Sequence, residues 1–189
     1  APGSMRPVYY SHCALDYKPQ WGGTESHRIV DASRAPAYGT NDPKSVPLGF
    51  IPQVAHTYAY FDANYGIMNE HQVSIGECTD KAKVDAEPEP GKRIFYSAEL
   101  SRVALERSKT AREAIRIMGG LIEKYGYYGT GETLLVADAN EGWVMEMCAY
   151  DKDGTAGVWV AQRVPDDGFF VAANQFRIRE VRPGDPEQM

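Results

Sequence analysis

The sequence has 189 residues, which is long enough for one sizeable hydrophobic core and short for two domains. Its net charge of −6 disfavours a nucleic-acid partner, because nucleic acids are bound by basic surfaces. No apolar run has the length of a membrane-spanning helix, and the opening residues lack the apolar centre of a signal peptide. We therefore expect a soluble segment without a membrane span, and the compartment is left open.

Residues 1–55 are rich in Pro, Gly, Tyr and Ser and are predicted to form an irregular lead-in that wraps the core. Within them, Arg6–Tyr10 and the pair Ile29–Val30 have some strand character. Regular structure is predicted to begin near His56. The stretch Thr57–Asp62 is aromatic and β-prone, so we expect it to pair with a strand of the opening segment.

Polar side chains are concentrated around a short alternating segment within residues 66–79. Val73 and Ile75 alternate with small residues, which predicts a strand with one face against the core. The polar residues 69–71 precede this strand, and residues 77–79 follow it. Two interpretations are open: a rigid strand that holds the edge of an active site, or a hairpin whose polar side chains only satisfy turn backbone.

Two helices are predicted next. Ser97 is expected to cap the first helix, and Thr110 begins a capping-box pattern for the second, which is expected to end at Gly126. The pair Gly119-Gly120 is expected to mark close packing on a sheet. The basic residues of Arg102–Arg116 are interleaved with glutamates at helical spacing, which favours a solvated helix face.

Strand patterns occupy the last third of the chain. Thr133–Asp138 and Trp143–Cys148 flank a hairpin loop, and Val158–Val164 and Phe169–Phe176 are predicted as the third and fourth strands. The predicted order is strands, two helices and then strands. Such segregation indicates an α+β fold with mainly antiparallel sheets.

Metal and cofactor motifs are not apparent. The four histidines lack the spacing of metal ligands, and the three cysteines are scattered, so no metal site, cofactor or disulfide framework is predicted. Asn174 lies in the middle of an apolar run, where a buried amide must be hydrogen-bonded. It is either a structural residue at a bulge or a donor that stabilises a developing oxyanion.

Several segments in a fixed order carry a family resemblance between His56 and Arg179. These segments are Met68–Val73, Ile75–Glu77, Leu105–Ala114, Glu123–Tyr127, Ala137–Glu141, Trp143–Met147, Val158–Ala161, Ala173–Gln175 and Arg177–Arg179. Together they resemble the dipeptidase family of cysteine N-terminal nucleophile (Ntn) hydrolases, the bacterial-type dipeptidases to which secernins are also related.

The resemblance implies part of a four-layer αββα sandwich and hydrolysis of a dipeptide amide bond by the thiol of an N-terminal cysteine, whose α-amine accepts the proton. By motif, Asn174 matches the side-chain oxyanion donor, and Thr79 matches the residue whose backbone N–H completes the oxyanion hole. Asn69 and Glu70 would support that corner. The substrate-binding candidates are Glu77, Glu70 and Arg177, and we hypothesise that Glu77 meets the substrate's free α-amine.

One departure from the family is large. The segment Pro2–Arg6 also resembles a stretch of the family, and the nucleophilic cysteine of the family precedes that stretch. This cysteine is not present here. We therefore expect an internal piece of a longer protein that is inactive alone. In it, residues 1–55 are the lead-in, 56–180 the central part of a single Ntn domain, and 181–189 the start of a continuation or tail. The expected partners are a dipeptide and the missing N- and C-terminal parts, and homo-oligomer formation is left open.

Two alternative functions fit the same residues. An amidase acting on another linear amide would use the same oxyanion donors, because the donors do not decide the substrate. A non-catalytic scaffold or pseudoenzyme subunit would keep the fold without the nucleophile. The missing cysteine favours the scaffold, whereas the presence of Asn174 and Glu77 disfavours it.

Overall fold

The computed structural model describes residues 3–8, 28–30, 47–62, 66–151 and 156–189. The strands of this part are β1 (Met5–Val8), β2 (Arg28–Val30), β3 (Gly49–Pro52), β4 (Tyr60–Asp62), β5 (Gly66–Asn69), β6 (Ser74–Asp80), β7 (Gly131–Ala137), β8 (Gly142–Cys148) and β9 (Val158–Arg163). The helices α1 (Ser97–Arg107) and α2 (Ala111–Tyr125) lie between β6 and β7.

The strands form two antiparallel sheets. The large sheet has seven strands in the order β2-β4-β5-β6-β7-β8-β9, and β1 pairs with β3 in a small second sheet. Both helices pack on the large sheet, where α1 contacts β5 and α2 contacts β7, β8 and β9. The predicted α+β class with mainly antiparallel sheets is confirmed, and the arrangement is consistent with part of an Ntn-hydrolase-like sandwich. In the described part of the chain, no helix is long and apolar enough to cross a membrane.

Part of the predicted irregular lead-in is ordered and belongs to the core. Val8 of β1 and Ile51 of β3 are completely buried in the same apolar cluster as Leu100 of α1. Strand β2 pairs with β4, so the predicted pairing of Thr57–Asp62 with the opening segment is confirmed. The expectations for residues 9–27 and 31–46 lie outside the described residues, and the divisions at residues 55 and 180 stay predictions.

A buried ionic network connects β1 to α1. Arg6 Nε donates to Glu106 Oε2 at 2.8 Å, and Arg6 Nη1 donates to Glu99 Oε2 at 3.0 Å. Arg102 donates to the other oxygen of Glu99 at 2.9 Å. Burial alone would raise the pKa of Glu99, but Arg6 and Arg102 hold it below its usual value.

The prediction of a solvated helix face is therefore wrong for the first part of the charged run. Glu99, Arg102 and Glu106 are 2%, 3% and 8% exposed, and Arg6 of β1 supplies the counter-charge for both glutamates. The face is solvated only later in the run, where Glu113 and Arg116 are exposed.

Helix α2 begins and ends where the sequence predicts. The Thr110 hydroxyl accepts the Glu113 backbone N–H at 3.2 Å, and Gly126 ends the helix with a φ of +71°, which glycine adopts without strain. The predicted cap of α1 is wrong. That helix begins at Ser97 itself, after the extended residue Tyr96, which makes no side-chain capping bond.

The predicted strand at Phe169–Phe176 is also wrong, because the sheet edge that it would extend is occupied. Residues 187–189 lie along β9, where Ala161 and Met189 exchange backbone hydrogen bonds of 2.8 and 3.0 Å. The 169–176 segment instead runs across the sheet, where Phe176 packs directly against Gly131 of β7.

The two neighbouring glycines of α2 have different surroundings. A Cβ atom on Gly119 would overlap the indole ring of Trp159 on β9, whereas a Cβ atom on Gly120 would meet no atom within 4 Å. Close packing on the sheet is therefore confirmed for Gly119. Gly120 is exposed and carries only the conformational cost of a glycine in a helix.

We expect Gly119→Ala to lower the free energy of unfolding by about 2 kcal/mol, because the added methyl group overpacks the Trp159 contact. Gly120→Ala is the matched control and should raise it by about 1 kcal/mol through helix propensity. Urea denaturation of the two variants measures both changes. Equal effects at the two positions would contradict the assigned packing.

Candidate active site

The predicted oxyanion residues meet at the end of β6. The side-chain amide of Asn174 donates to the backbone oxygen of Thr79 at 2.6 Å. The backbone N–H of Asn174 points at the Cys78 sulfur, with an N–S distance of 3.2 Å. The structure therefore brings Asn174 and Thr79 together from positions 95 residues apart.

The backbone N–H of Thr79 points to the open edge of β6. In an antiparallel strand, the N–H and C=O of one residue point to the same side, and the side alternates from residue to residue. The backbone oxygen of Val73 accepts the Asn69 N–H on the β5 side of the strand. Because every second residue points the same way, the backbone N–H and C=O of Thr79 also point to the β5 side. Strand β5 pairs with β6 only at Ser74, so within the described residues the edge at Thr79 has no paired strand.

Asn174 holds a conformation that suits its residue type. It lies in an irregular, exposed segment with a φ of +54°, a left-handed conformation that asparagine tolerates better than most residues. The expectation of an amide buried inside a strand is corrected. The amide instead reaches the edge of β6 from the solvent-exposed surface.

Two cysteines in the described chain differ in their surroundings. Cys78 is half-buried next to Asn174, and neither it nor Cys148 forms a disulfide. Burial raises the pKa of the Cys148 thiol, which is half-buried at the end of β8. Cys13 lies outside the described residues.

Carboxyl groups gather on the helix-facing side of this edge. Thr79 and Glu132 are in register on β6 and β7, and Tyr96 at the start of α1 donates to Glu132 Oε1 at 2.7 Å. The Thr79 hydroxyl donates to Glu77 at 2.6 Å. Burial is the largest of the causes that together raise the pKa of Glu132 to about 9; the neighbouring Glu77 carboxyl adds to the rise, and the Tyr96 hydroxyl opposes it.

Two more carboxyl groups lie on the opposite face. Burial raises the pKa of Asp80 even though the Thr133 hydroxyl donates to it. Burial also raises the pKa of Glu146, which accepts backbone N–H groups of the 169–189 segment. No group of three or more His, Cys, Asp or Glu side chains in the described residues is arranged to hold a metal ion.

The structure does not bring Asn69 and Glu70 to this corner. Thr79 is five residues along the strand from Ser74, roughly 17 Å from the hairpin that carries both side chains. The Asn69 amide donates to Leu105 O and Ser108 O, at 2.9 and 2.8 Å, and its oxygen accepts two backbone N–H groups of the hairpin.

Asn69 therefore joins the β5–β6 hairpin to the end of α1. This matches the second interpretation of the sequence, in which the polar side chains of this segment hydrogen-bond to backbone groups. Glu70 accepts the Ala59 backbone N–H at 2.8 Å and is exposed. For both residues the contacts are structural ones, and they correct the expectation that Asn69 directly supports the oxyanion corner.

Arg177 lies three residues beyond Asn174. Its backbone N–H bonds to Glu146, and its side chain lines a groove of about 420 Å³ over β8 and β9 together with Gln162 and Phe170. This groove is on the same face of the sheet as Cys78, because Cys78, Thr133 and Glu146 are in register. The structure therefore places Arg177 beside the oxyanion corner rather than in it.

Several residues of the site were not identified from the sequence. The sequence predicts a strand that begins at Thr133, which would leave Glu132 in a loop. The observed strand begins at Gly131, so Glu132 lies within it and is buried. Tyr96 reaches Glu132 across 36 residues, and no local pattern indicates that contact. Asp80, the last residue of β6, could have been found as a carboxylate that continues the strand alternation.

Comparison with known proteins identifies the family. The family model described as peptidase family C69 matches residues 53–189. The chain belongs to peptidase family C69. It is 29% identical over 147 residues to a "Probable dipeptidase" of Salmonella dublin and 37% identical over 88 residues to a "Probable dipeptidase" of Latilactobacillus sakei.

The C69 chain is much shorter than these relatives. The match covers 71% of this chain and 32% of the Salmonella protein, and 47% of this chain and 17% of the Latilactobacillus protein. A "Dipeptidase" of Bifidobacterium longum is 33% identical over 78 residues, which are 41% of this chain and 13% of that protein. The chain thus spans about a third or less of the length of these relatives.

The buried position of Glu132 predicts a pH-dependent stability. Its pKa is about 9 in the folded protein against an ordinary 4.5, so the folded state binds a proton that the unfolded state lacks between these values. The stability that the protonated Glu132 contributes is fully present below pH 4.5 and is lost as the pH rises through about 9. We expect Glu132→Gln to stabilise the protein progressively relative to wild type over this range.

Urea denaturation of the full-length protein at a series of pH values measures this difference. Glu87→Gln, a substitution in an exposed loop, is the control and should show a small difference that is independent of pH. A pH-independent difference for Glu132→Gln would contradict the assigned proton.

Proposed function

We propose that this chain is the central part of a cysteine Ntn hydrolase that cleaves the amide bond of dipeptides, with Asn174 and the backbone N–H of Thr79 as oxyanion donors. The observation that carries the proposal is the contact between the Asn174 amide and Thr79 at an open strand edge. The names of the C69 relatives support dipeptides as the substrate class.

In the proposed reaction, a cysteine thiol attacks the substrate carbonyl and transfers its proton to its own α-amine. The carbonyl oxygen becomes negatively charged and accepts the Asn174 amide and the Thr79 N–H. The carbon–nitrogen bond then breaks, the leaving amine takes the proton, and water hydrolyses the thioester. In this step the Asn174 amide exchanges its bond to Thr79 O for one to the oxyanion.

The nucleophile of this proposal belongs to a segment outside the chain. Cys78 lies next to Asn174, but it is a residue of β6, so it has no free α-amine to accept its proton. The missing N-terminal segment would therefore supply the cysteine, and residues 56–180 would supply the oxyanion hole and the amine site. The greater length of the C69 relatives supports such additional segments.

Glu77 is proposed to bind the α-ammonium group of the dipeptide. It is half-buried and hydrogen-bonded to the Thr79 hydroxyl, so its carboxylate is held close to the proposed oxyanion donor. In a dipeptide, the α-amine is attached to the carbon next to the attacked carbonyl. An amidase for N-acylated substrates would have no use for acidic groups at this point, which favours the dipeptide.

We expect Asn174→Asp to lower kcat about 10²- to 10³-fold with a small effect on KM, because it removes an oxyanion donor and keeps the side-chain shape. Gln175→Glu is the matched control, since it makes the same change of amide to carboxylate at the next exposed residue. Steady-state kinetics of the full-length protein on a dipeptide measures both. Unchanged kcat in Asn174→Asp would exclude this role.

We expect Glu77→Gln to raise KM for dipeptides about tenfold and to remove the preference for a free α-amine over an N-acetylated one, because a charge-assisted hydrogen bond is lost. Glu87→Gln serves as the exposed control. If Glu77→Gln leaves both KM and the amine preference unchanged, the amine site lies elsewhere.

The scaffold alternative is tested before any kinetics. Intact-mass measurement and N-terminal sequencing of the natural protein show whether a mature chain begins with cysteine. Such a chain is the result we expect. Its absence would overturn the proposed hydrolysis and favour a non-catalytic subunit with the same fold.

A further inference from the structure

The carboxyl group of Glu132 has no part in the hydrolysis proposed above, yet it lies behind the amine site. It is completely buried, and its Oε1 accepts the Tyr96 hydroxyl at 2.7 Å and the Thr79 hydroxyl at 3.5 Å. No donor among the described residues reaches its Oε2. Both carboxyl groups lie at the Thr79 hydroxyl, whose oxygen is 2.6 Å from Glu77 Oε1 and 3.5 Å from Glu132 Oε1.

We propose that Glu77 and Glu132 form a carboxyl pair at the Thr79 hydroxyl that binds the substrate's α-ammonium group and releases one proton when that group binds. Glu77 contacts the ammonium group, and Glu132 is a positioning residue behind it. This inference rests on the proposed dipeptide hydrolysis and adds the means by which the free amine is recognised.

The surroundings of the pair favour a cationic ligand. The charged neighbours that act on Glu132 are Glu77 and Asp80, both acidic, and Tyr96 supplies a neutral hydroxyl. The buried Glu99 makes the contrast clear, because it is ionised between two arginines of the chain itself. The Glu77–Glu132 pair has no comparable arginine or lysine in the described chain, so a counter-charge has to come from a ligand.

The Glu77–Glu132 pair is accessible to such a ligand from solvent. Thr79 is exposed and Glu77 is half-buried, so an ammonium group from solvent reaches Glu77 first. Glu132 is enclosed behind them and is coupled to Glu77 through the Thr79 hydroxyl. A metal ion is a poorer candidate, because the described carboxyl groups do not form a metal-binding arrangement.

The proton balance of the step is simple. Without ligand, the buried Glu132 holds one proton, because a second negative charge next to Glu77 and Asp80 is unfavourable there. An arriving ammonium ion stabilises the second negative charge, the Tyr96 hydroxyl bonds to the ionised Glu132, and the proton passes to solvent. The complex of the pair and the ammonium ion then has a net charge of minus one.

Isothermal titration calorimetry of the full-length protein tests the proposal. The ligand is a dipeptide isostere in which an alkene replaces the amide bond, so that it keeps the α-amine and is not hydrolysed. Titration at about pH 6, where the α-amine is charged, in buffers of different ionisation enthalpy counts the released protons. We expect about one proton per ligand for wild type and for Glu87→Gln, and almost none for Glu132→Gln.

Two outcomes would overturn the inference. One is an equal proton count for wild type and Glu132→Gln, and the other is equal proton release with the N-acetylated isostere. If Glu132→Gln does not fold, infrared difference spectra of wild type replace it. Ligand binding should then remove the band of a protonated carboxyl group, and a band that persists contradicts the proposal.

Failure of the inference is distinguishable from failure of the proposed function. If the protein hydrolyses dipeptides but releases no proton when the isostere binds, only the inference about the carboxyl pair is overturned. If a mature wild-type protein that begins with cysteine does not hydrolyse dipeptides, the proposed function itself is overturned.

Discussion

The alternation of strand β6 is the constraint on which the site depends. One residue, Thr79, directs its backbone to the open edge and its side chain toward Glu77 and Glu132. Its neighbours Cys78 and Asp80 face the other side, toward the segment that carries Asn174. A shift of β6 by one residue would exchange these two sets of side chains and separate the proposed oxyanion donors from the proposed acidic pair.

The position of β6 is itself supported by buried polar contacts rather than by apolar packing alone. Asn69 joins the hairpin that begins β6 to the carbonyl end of α1, and Arg6 joins the opposite side of α1 to β1. Loss of one member of such a buried group is costly because its partners remain buried without compensation. The two contacts therefore make the lead-in, the helix and the central strand depend on one another.

The parts that the sequence predicts well are those with local signals. Thr110 and Gly126 bound α2 through contacts within a few residues, and the β7–β8 hairpin is marked by its own loop. The errors concern long-range contacts. An apolar run at Phe169–Phe176 does not show that another segment fills the edge of β9, and helical spacing of charges does not show that Arg6 covers them.

The candidate site divides in the same way. The family resemblance joins the distant motifs of Asn174 and Thr79, and the structure places these two residues in contact, while their role as oxyanion donors stays a proposal. Glu132 and Tyr96 could not be identified from the sequence, since their importance comes from burial and from their contact with each other.

The pairing of Met189 with Ala161 has a consequence of its own: it hides the outer edge of β9 from strands of other molecules. Shortening the chain there would expose an edge that invites intermolecular β-pairing and aggregation.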